Sequence, residues 1–222
     1  MLLEVVGGLL PAAAGIALSP FPIVAIILVV AGTHGRVAGP VFALGWLLGL
    51  SLLTAVAVGV GGLLAGGQPG TWAAWARILL GAVLLGLGAR KGLRRPRGDE
   101  PATTPSWMTG LAAATPSRAG AVGFGLAALN PKNVAFALAS ASVIGQVDQD
   151  AGNALLEAAV FVLLASTTVV SVVVVSRFGG PRGTRALDRL RQRLLQHNDV
   201  IVAVVLLLIG ATILGDGLTG LG

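Results

Sequence analysis

Six long apolar stretches, separated by short polar or basic segments, make up most of this chain. They run from about Leu2 to Val30, Ala38 to Val60, Trp72 to Ala89, Ala119 to Gly145, Ala154 to Val175 and Val200 to Gly217. Each is close to the ~20 apolar residues that a helix needs to cross a hydrocarbon core of about 30 Å. The pattern predicts six transmembrane helices. The first and fourth stretches are longer than the rest, as expected of spans that tilt or break. Ala12-Ala13-Ala14 looks like a signal cleavage region, but Glu4 replaces the basic start of a signal peptide and apolar sequence continues to Val30. The first stretch is therefore read as a retained span.

Those two long stretches are interrupted in the same way. Ala17-Leu18-Ser19-Pro20 lies near the middle of the first and Ala128-Leu129-Asn130-Pro131 near the middle of the fourth, and the interval between the two prolines is half of the 222-residue chain. Proline removes a helix donor and clashes with the preceding turn. Lipid cannot satisfy the carbonyls this releases, so such a break persists only inside protein or beside a polar cavity. Matching breaks in two halves are the sequence mark of a transporter binding site.

Composition supports the membrane reading. Hydrophobic residues make up 55% of the chain and charged residues 11%, against roughly 25% charged in a soluble domain. The formal charge of +6 at first suggests nucleic acid. The basic residues sit in short loops beside apolar spans, however, so orientation in the bilayer explains them and no nucleic-acid partner is expected. Arg36 lies in the first loop. Arg90, Lys91, Arg94, Arg95, Arg97 and Arg118 lie in the third, and Arg177, Arg182, Arg185, Arg189, Arg191 and Arg193 in the fifth. Only Arg77 and Lys132 fall within spans, while the fourth loop carries Asp148 and Asp150 without a basic residue. The positive-inside rule then puts the odd loops in the cytoplasm and both termini outside. The chain is expected to cross its membrane several times.

Three spans in each half make the second half enter the membrane in the opposite sense. The expected fold is all-α: two inverted three-helix repeats, with spans one and four broken at prolines. The first repeat covers residues 1–91, a cytoplasmic linker 92–118 and the second repeat 119–222. Gly81-Ala82-Val83-Leu84-Leu85-Gly86 in span three also resembles Gly210-Ala211-Thr212-Ile213-Leu214-Gly215 in span six. Chance recurrence of small residues in membrane helices is the plain alternative. The linker, rich in proline, glycine and threonine, reads as flexible. Residues 181–197 place Leu187, Leu190 and Leu194 at helical spacing among arginines. They read either as an amphipathic helix on the cytoplasmic surface or as a solvated basic connection.

The polar chemistry gathers at Asn130-Pro131-Lys132-Asn133. A lysine near the midplane costs ~2.5–3.5 kcal/mol on insertion scales, so it normally faces a partner or water. In one reading Lys132 attracts an anionic or carbonyl-bearing group, with Asn130 and Asn133 donating hydrogen bonds and Ser19 completing the site from the other break. In the other it bridges carbonyls freed by Pro20, Pro22 and Pro131. Ser51 and Thr54 in span two, and Ser166, Thr167 and Thr168 in span five, line a path or bond back to their own helices. Arg77 and Glu157 lie slightly inside the outer face, where they snorkel, pair or gate. Trp72 and Trp75 suit the outer aromatic belt.

Other chemistry lacks its residues. There is no cysteine, and His34 and His197 lie in loops without a ligand cluster, so no metal site or cofactor is expected. No phosphate-binding glycine loop and no catalytic constellation occur, so the chain is not expected to be an enzyme.

Taken together, four words resemble a known family. They are Ser19-Pro20-Phe21-Pro22 with the apolar run after it, Gly45-Trp46-Leu47-Leu48-Gly49, Asn130-Pro131-Lys132-Asn133, and the ending from His197-Asn198-Asp199-Val200 through Gly215-Asp216-Gly217. The chain resembles the GAP, or sulfolipid-addressing protein (Sap), family of the lysine-exporter (LysE) superfamily. The resemblance covers nearly the whole chain and is weakest in the linker. It implies a six-span exporter fold and a role in the cell envelope, where relatives assist surface-lipid export. Superfamily members are linked to amino acids, metal ions and redox equivalents. The lack of cysteine argues against the redox branch, and the few carboxylates against the metal branch. The expectation is a secondary exporter of a small or amphiphilic solute, with membrane lipid and either a second copy or a lipid-export complex as partners. The alternative is a non-transporting accessory protein of a lipid-export machine.

Overall fold

The computed structural model describes residues 2–65, 71–93, 110–147 and 151–196, together with positions 203, 204, 207, 210, 211, 214, 215 and 217–220. Among the described residues every regular element is helical. In chain order these are α1 (Leu2–Ala17), α2 (Pro20–Ala31), α3 (Gly35–Ala65), α4 (Thr71–Leu93), a 3-10 turn (Leu111–Ala113), α5 (Pro116–Ala128), α6 (Pro131–Val147), α7 (Ala151–Phe178) and α8 (Gly180–Gln196). Described positions from 203 to 219 are also helical. The chain divides into one unit of residues 1–62 and 104–193 and another of 63–103 and 194–222.

Two helices, Gly35–Val60 and Gly152–Phe178, are each long and apolar enough to cross a membrane, and Val6–Ala17 with Pro20–Ala31 forms a broken pair bent by 56°. Among the described residues the structure therefore supports two to three of the six expected spans. The expected fourth span is split by its proline into α5 and α6, of 13 and 17 residues, each short of a full crossing alone.

Both predicted breaks are present, with local causes. In the first, the Ser19 N–H bonds to Ile16 O at 3.0 Å, tightening the last turn of α1. Ser19 is extended, and Pro20 starts α2 at a helix position where a missing N–H costs nothing. In the second, Asn130 Oδ1 accepts the Lys132 N–H at 3.0 Å and so caps α6, with Pro131 again first. Thr115 caps α5 similarly, accepting the Arg118 N–H at 3.4 Å ahead of Pro116.

In the larger unit α1 packs against α6 and α7, and α2 against α5, α7 and the 3-10 turn. Gly8 lies against Val143 and Gly15 against Phe136, so α1 and α6 run antiparallel. α2, which follows the first break, packs on α5, which precedes the second, so the two breaks lie between the same two pairs of packed helices. Trp46 Nε1 donates to Ser166 Oγ at 3.2 Å and Arg177 Nη1 to Arg36 O at 2.9 Å, an antiparallel register for α3 and α7. α3 and α5 run parallel at backbone contact. A Cβ on Gly45 would lie 2.1 Å from Gly120 O, and one on Gly49 2.6 Å from Phe124 O. Such close approach is how membrane helices gain packing energy where lipid removes the hydrophobic drive between them. Trp46, Phe42, Phe161, Ile16 and Ile26 fill the interior. Leu44, Leu48, Leu52 and Val56 form an exposed apolar row four residues apart on α3, as a lipid-facing surface requires.

The end of the expected linker is ordered. Leu111 is buried in the 3-10 turn, and the Thr33 N–H bonds to Ala112 O at 3.0 Å beside the end of α2. Residues 94–109 of that linker lie outside the described residues. The basic segment is helical, as α8. It opens on Gly180 at φ 54 and buries Leu187, leaving Arg182, Arg185, Arg189 and Arg193 exposed and Arg191 part-buried.

In the smaller unit the similar glycine words of α4 and the last segment meet. A Cβ on Gly81 would come 2.8 Å from Gly210 O, and one on Gly88 3.1 Å from Ala203 O, an antiparallel contact.

Candidate functional site at the proline breaks

Asn133 holds the second break together. Its side chain is fully buried, and Nδ2 donates to Leu126 O at 3.1 Å and Ala127 O at 3.0 Å. Ala127 O is the carbonyl whose regular helical donor would be residue 131, which is a proline. At the first break the Thr168 hydroxyl reaches across from α7 and donates to Ala17 O at 2.6 Å. Asn133 thus satisfies the carbonyl freed by Pro131, and Thr168 satisfies the Ala17 carbonyl at the end of α1.

Lys132 is half-buried, and its Nζ lies 5.6 Å from the centre of the Phe136 ring, one helical turn further along α6. The ring's face attracts the ammonium. Its other contact is with α1, where Gly15 leaves the space. A Cβ there would fall 2.0 Å from Phe136 Cζ. Gly15, Phe136 and Lys132 therefore form one stack, next to the level of both prolines.

Asn133 also leaves a polar atom open. With both Nδ2 bonds directed at carbonyls, Oδ1 is buried without a hydrogen-bond partner. A buried acceptor without a donor is costly, so each such atom in a native fold calls for an explanation. Ser19 is buried at the other break, and its side chain caps no helix N–H. The geometry thus combines a cation on an aromatic face and an open carbonyl-type acceptor at one break with a buried hydroxyl at the other.

The other predicted residues are spread more widely. Thr167 is exposed on the outward side of α7 and bonds back to Leu164 O at 2.8 Å, whereas Ser166 is buried and accepts from Trp46. Thr54 is buried and bonds back to Leu50 O at 2.8 Å, and Ser51 is exposed. Glu157 is buried on α7. The side chains of Arg77 and Trp72 lie outside the described residues, and Trp75 is exposed. Among the described residues no group of three or more metal-ligating side chains occurs.

Phe136 and Gly15 were not singled out from sequence. The available signal was the spacing from Lys132 to Phe136, which puts both on one helix face. No sequence signal shows which glycine of α1 faces that ring.

A bent helix pair, two long apolar helices and buried polar side chains closing proline breaks define an α-helical membrane protein with a broken-helix core. A family model described as "Sap, sulfolipid-1-addressing protein" matches residues 9–219. The chain belongs to the Sap family. Comparison with curated proteins and with solved structures gave no match.

Proposed function

We propose that this chain is a secondary exporter of LysE type, moving a small or amphiphilic solute outward across the cytoplasmic membrane in connection with cell-envelope lipid export. The observation that carries the reading is the opposed pair of breaks, with Lys132 on Phe136 and the unpartnered Asn133 Oδ1 beside them. Broken helices meeting inside a bundle are the usual frame of a transporter site. Antiparallel packing of α1 on α6, of α3 on α7 and of α4 on the last segment supports six spans in two inverted halves.

The cargo would carry an anionic or carbonyl oxygen for Lys132 and a donor, such as a hydroxyl, for Asn133 Oδ1. Asn130 orients the lysine by capping α6, and Ser19 approaches from the opposite break. Such a protein needs no catalytic chemistry and no cofactor. The word "addressing" in the family description supports a second reading, in which the chain assists a separate lipid exporter.

Purified protein in liposomes tests the proposal. Efflux of a sulfated glycolipid or a short-chain analogue, abolished by Lys132→Met at equal folded protein, is the expected result. Lys132→Arg should be only partly active, because a planar fork replaces a compact ammonium poorly. Parental efflux by Lys132→Met would remove Lys132 from the site. Absence of flux with the parent protein, together with co-purification of a larger lipid transporter, would replace the exporter reading with the accessory one.

A further inference from the structure

The two arginines at the mouth between α2, α3 and α7 have no role in the site at the breaks. Arg36 and Arg177 line a cavity of about 120 Å³ with Val30, Gly35, Pro40, Val173 and Ser176. This is several times the ~30 Å³ that one water occupies in the liquid. The cavity has two characters. Val30, Pro40 and Val173 give it an apolar wall, while Arg36, Arg177 and Ser176, whose hydroxyl donates to Val173 O at 2.8 Å, give it a polar rim.

The rim is strongly cationic and uncompensated. Arg177 spends one donor on the backbone carbonyl of Arg36, at 2.9 Å. Among the described residues neither guanidinium has a carboxylate partner, and the Arg36 side chain makes no hydrogen bond. Both groups are exposed. Two like charges on one small cavity repel, and an oxyanion between them turns that repulsion into attraction. Arginine suits the task because its fork of N–H donors matches phosphate or sulfate oxygens two at a time. The cavity also lies at the end of the bundle where Arg182, Arg185 and Arg189 of α8 gather, the end that faces anionic lipid in the orientation the basic residues predict.

We propose that Arg36 and Arg177 form an oxyanion site that holds the phosphate of an anionic lipid, with its acyl chains leaving along Val30, Pro40 and Val173. The inference is independent of the cargo reading, since such a lipid binds whether or not the chain transports anything. Arg36→Gln is the discriminating variant. It removes a guanidinium that bonds nothing, yet leaves the Arg36 carbonyl that anchors Arg177, so the fold is retained.

The test is thermal unfolding of the full chain in neutral detergent, titrated with phosphatidylglycerol, phosphatidylcholine or inorganic phosphate. Phosphatidylglycerol should raise the unfolding temperature and phosphatidylcholine should not. Arg36→Gln should need about tenfold more phosphatidylglycerol for the same shift, the scale of one lost charge-assisted contact. Arg90→Gln removes equal charge outside the cavity and should titrate like the parent. Arg177→Lys should fall between, keeping charge but losing the fork. Saturation by inorganic phosphate as effective as by the lipid would support the oxyanion site and assign it to a free solute. Equal effects of Arg36→Gln and Arg90→Gln, or no stabilisation by either phosphate source, would overturn the proposal.

Discussion

Replacing Asn133 by leucine should destabilise the protein by about 1–2 kcal/mol, a value that follows from what the amide does at the break. Its Nδ2 satisfies Leu126 O and Ala127 O, at 3.1 and 3.0 Å, in a fully buried position. A buried carbonyl stripped of its donor costs about 1–3 kcal/mol. Side-chain hydrogen bonds between membrane helices average only about 0.6 kcal/mol, because the altered state finds other partners. Here re-pairing is limited, since the helical donor to Ala127 O is missing at Pro131. The leucine also removes the unpartnered Oδ1, which offsets part of the loss. Asn133→Asp keeps the shape but, when ionised, sets acceptors against both carbonyls. It should therefore be less stable than Asn133→Leu. Unfolding in mixed micelles by titration with SDS, followed by helical circular dichroism, measures both variants against the parent. If Asn133→Leu is as stable as the parent, or Asn133→Asp is the more stable of the two, the amide does not close the break and the argument fails.

Three further outcomes are expected, two from the structure and the third from the charge pattern of the sequence. Gly45→Ala should cost about 1–3 kcal/mol or prevent folding, since the added methyl would meet the fixed backbone oxygen of Gly120 at 2.1 Å; thermal unfolding of Gly45→Ala beside Gly59→Ala, where the space is open, checks this. Thr168→Val should lose the bond to Ala17 O and about 1 kcal/mol, whereas Thr168→Ser should stay near the parent in the same SDS titration. Single cysteines at positions 100 and 149, placed in a chain without native cysteine, should react with an impermeant thiol reagent added outside only at position 149, and the reverse would invert the topology.

The breaks were legible in the sequence because proline acts locally. Pro20 and Pro131 remove donors whatever surrounds them, and Ser19 and Asn130 are residue types suited to the extended position before a helix. The helices also came through as runs of apolar residues, and α8 as leucines spaced among arginines. The reach of the elements was less clear. α3 takes in Arg36 and extends to Ala65, and Leu111 returns to pack near α2, because a short apolar turn inside a polar linker gives little periodic signal.

Which groups close the breaks was decided only by tertiary structure. Thr168 is far from Ala17 along the chain and reaches it because α7 packs on α1. Asn133 acts back across Pro131 to carbonyls of α5. The same holds for Gly15 under Phe136, for Trp46 on Ser166 and for Arg177 on the Arg36 carbonyl. Sequence by itself determined where the backbone must lose hydrogen bonds, since that is set by residue type and near neighbours. Only the packing of distant helices decided which side chains replace those bonds, because contact between segments depends on register and rotation that no local pattern specifies.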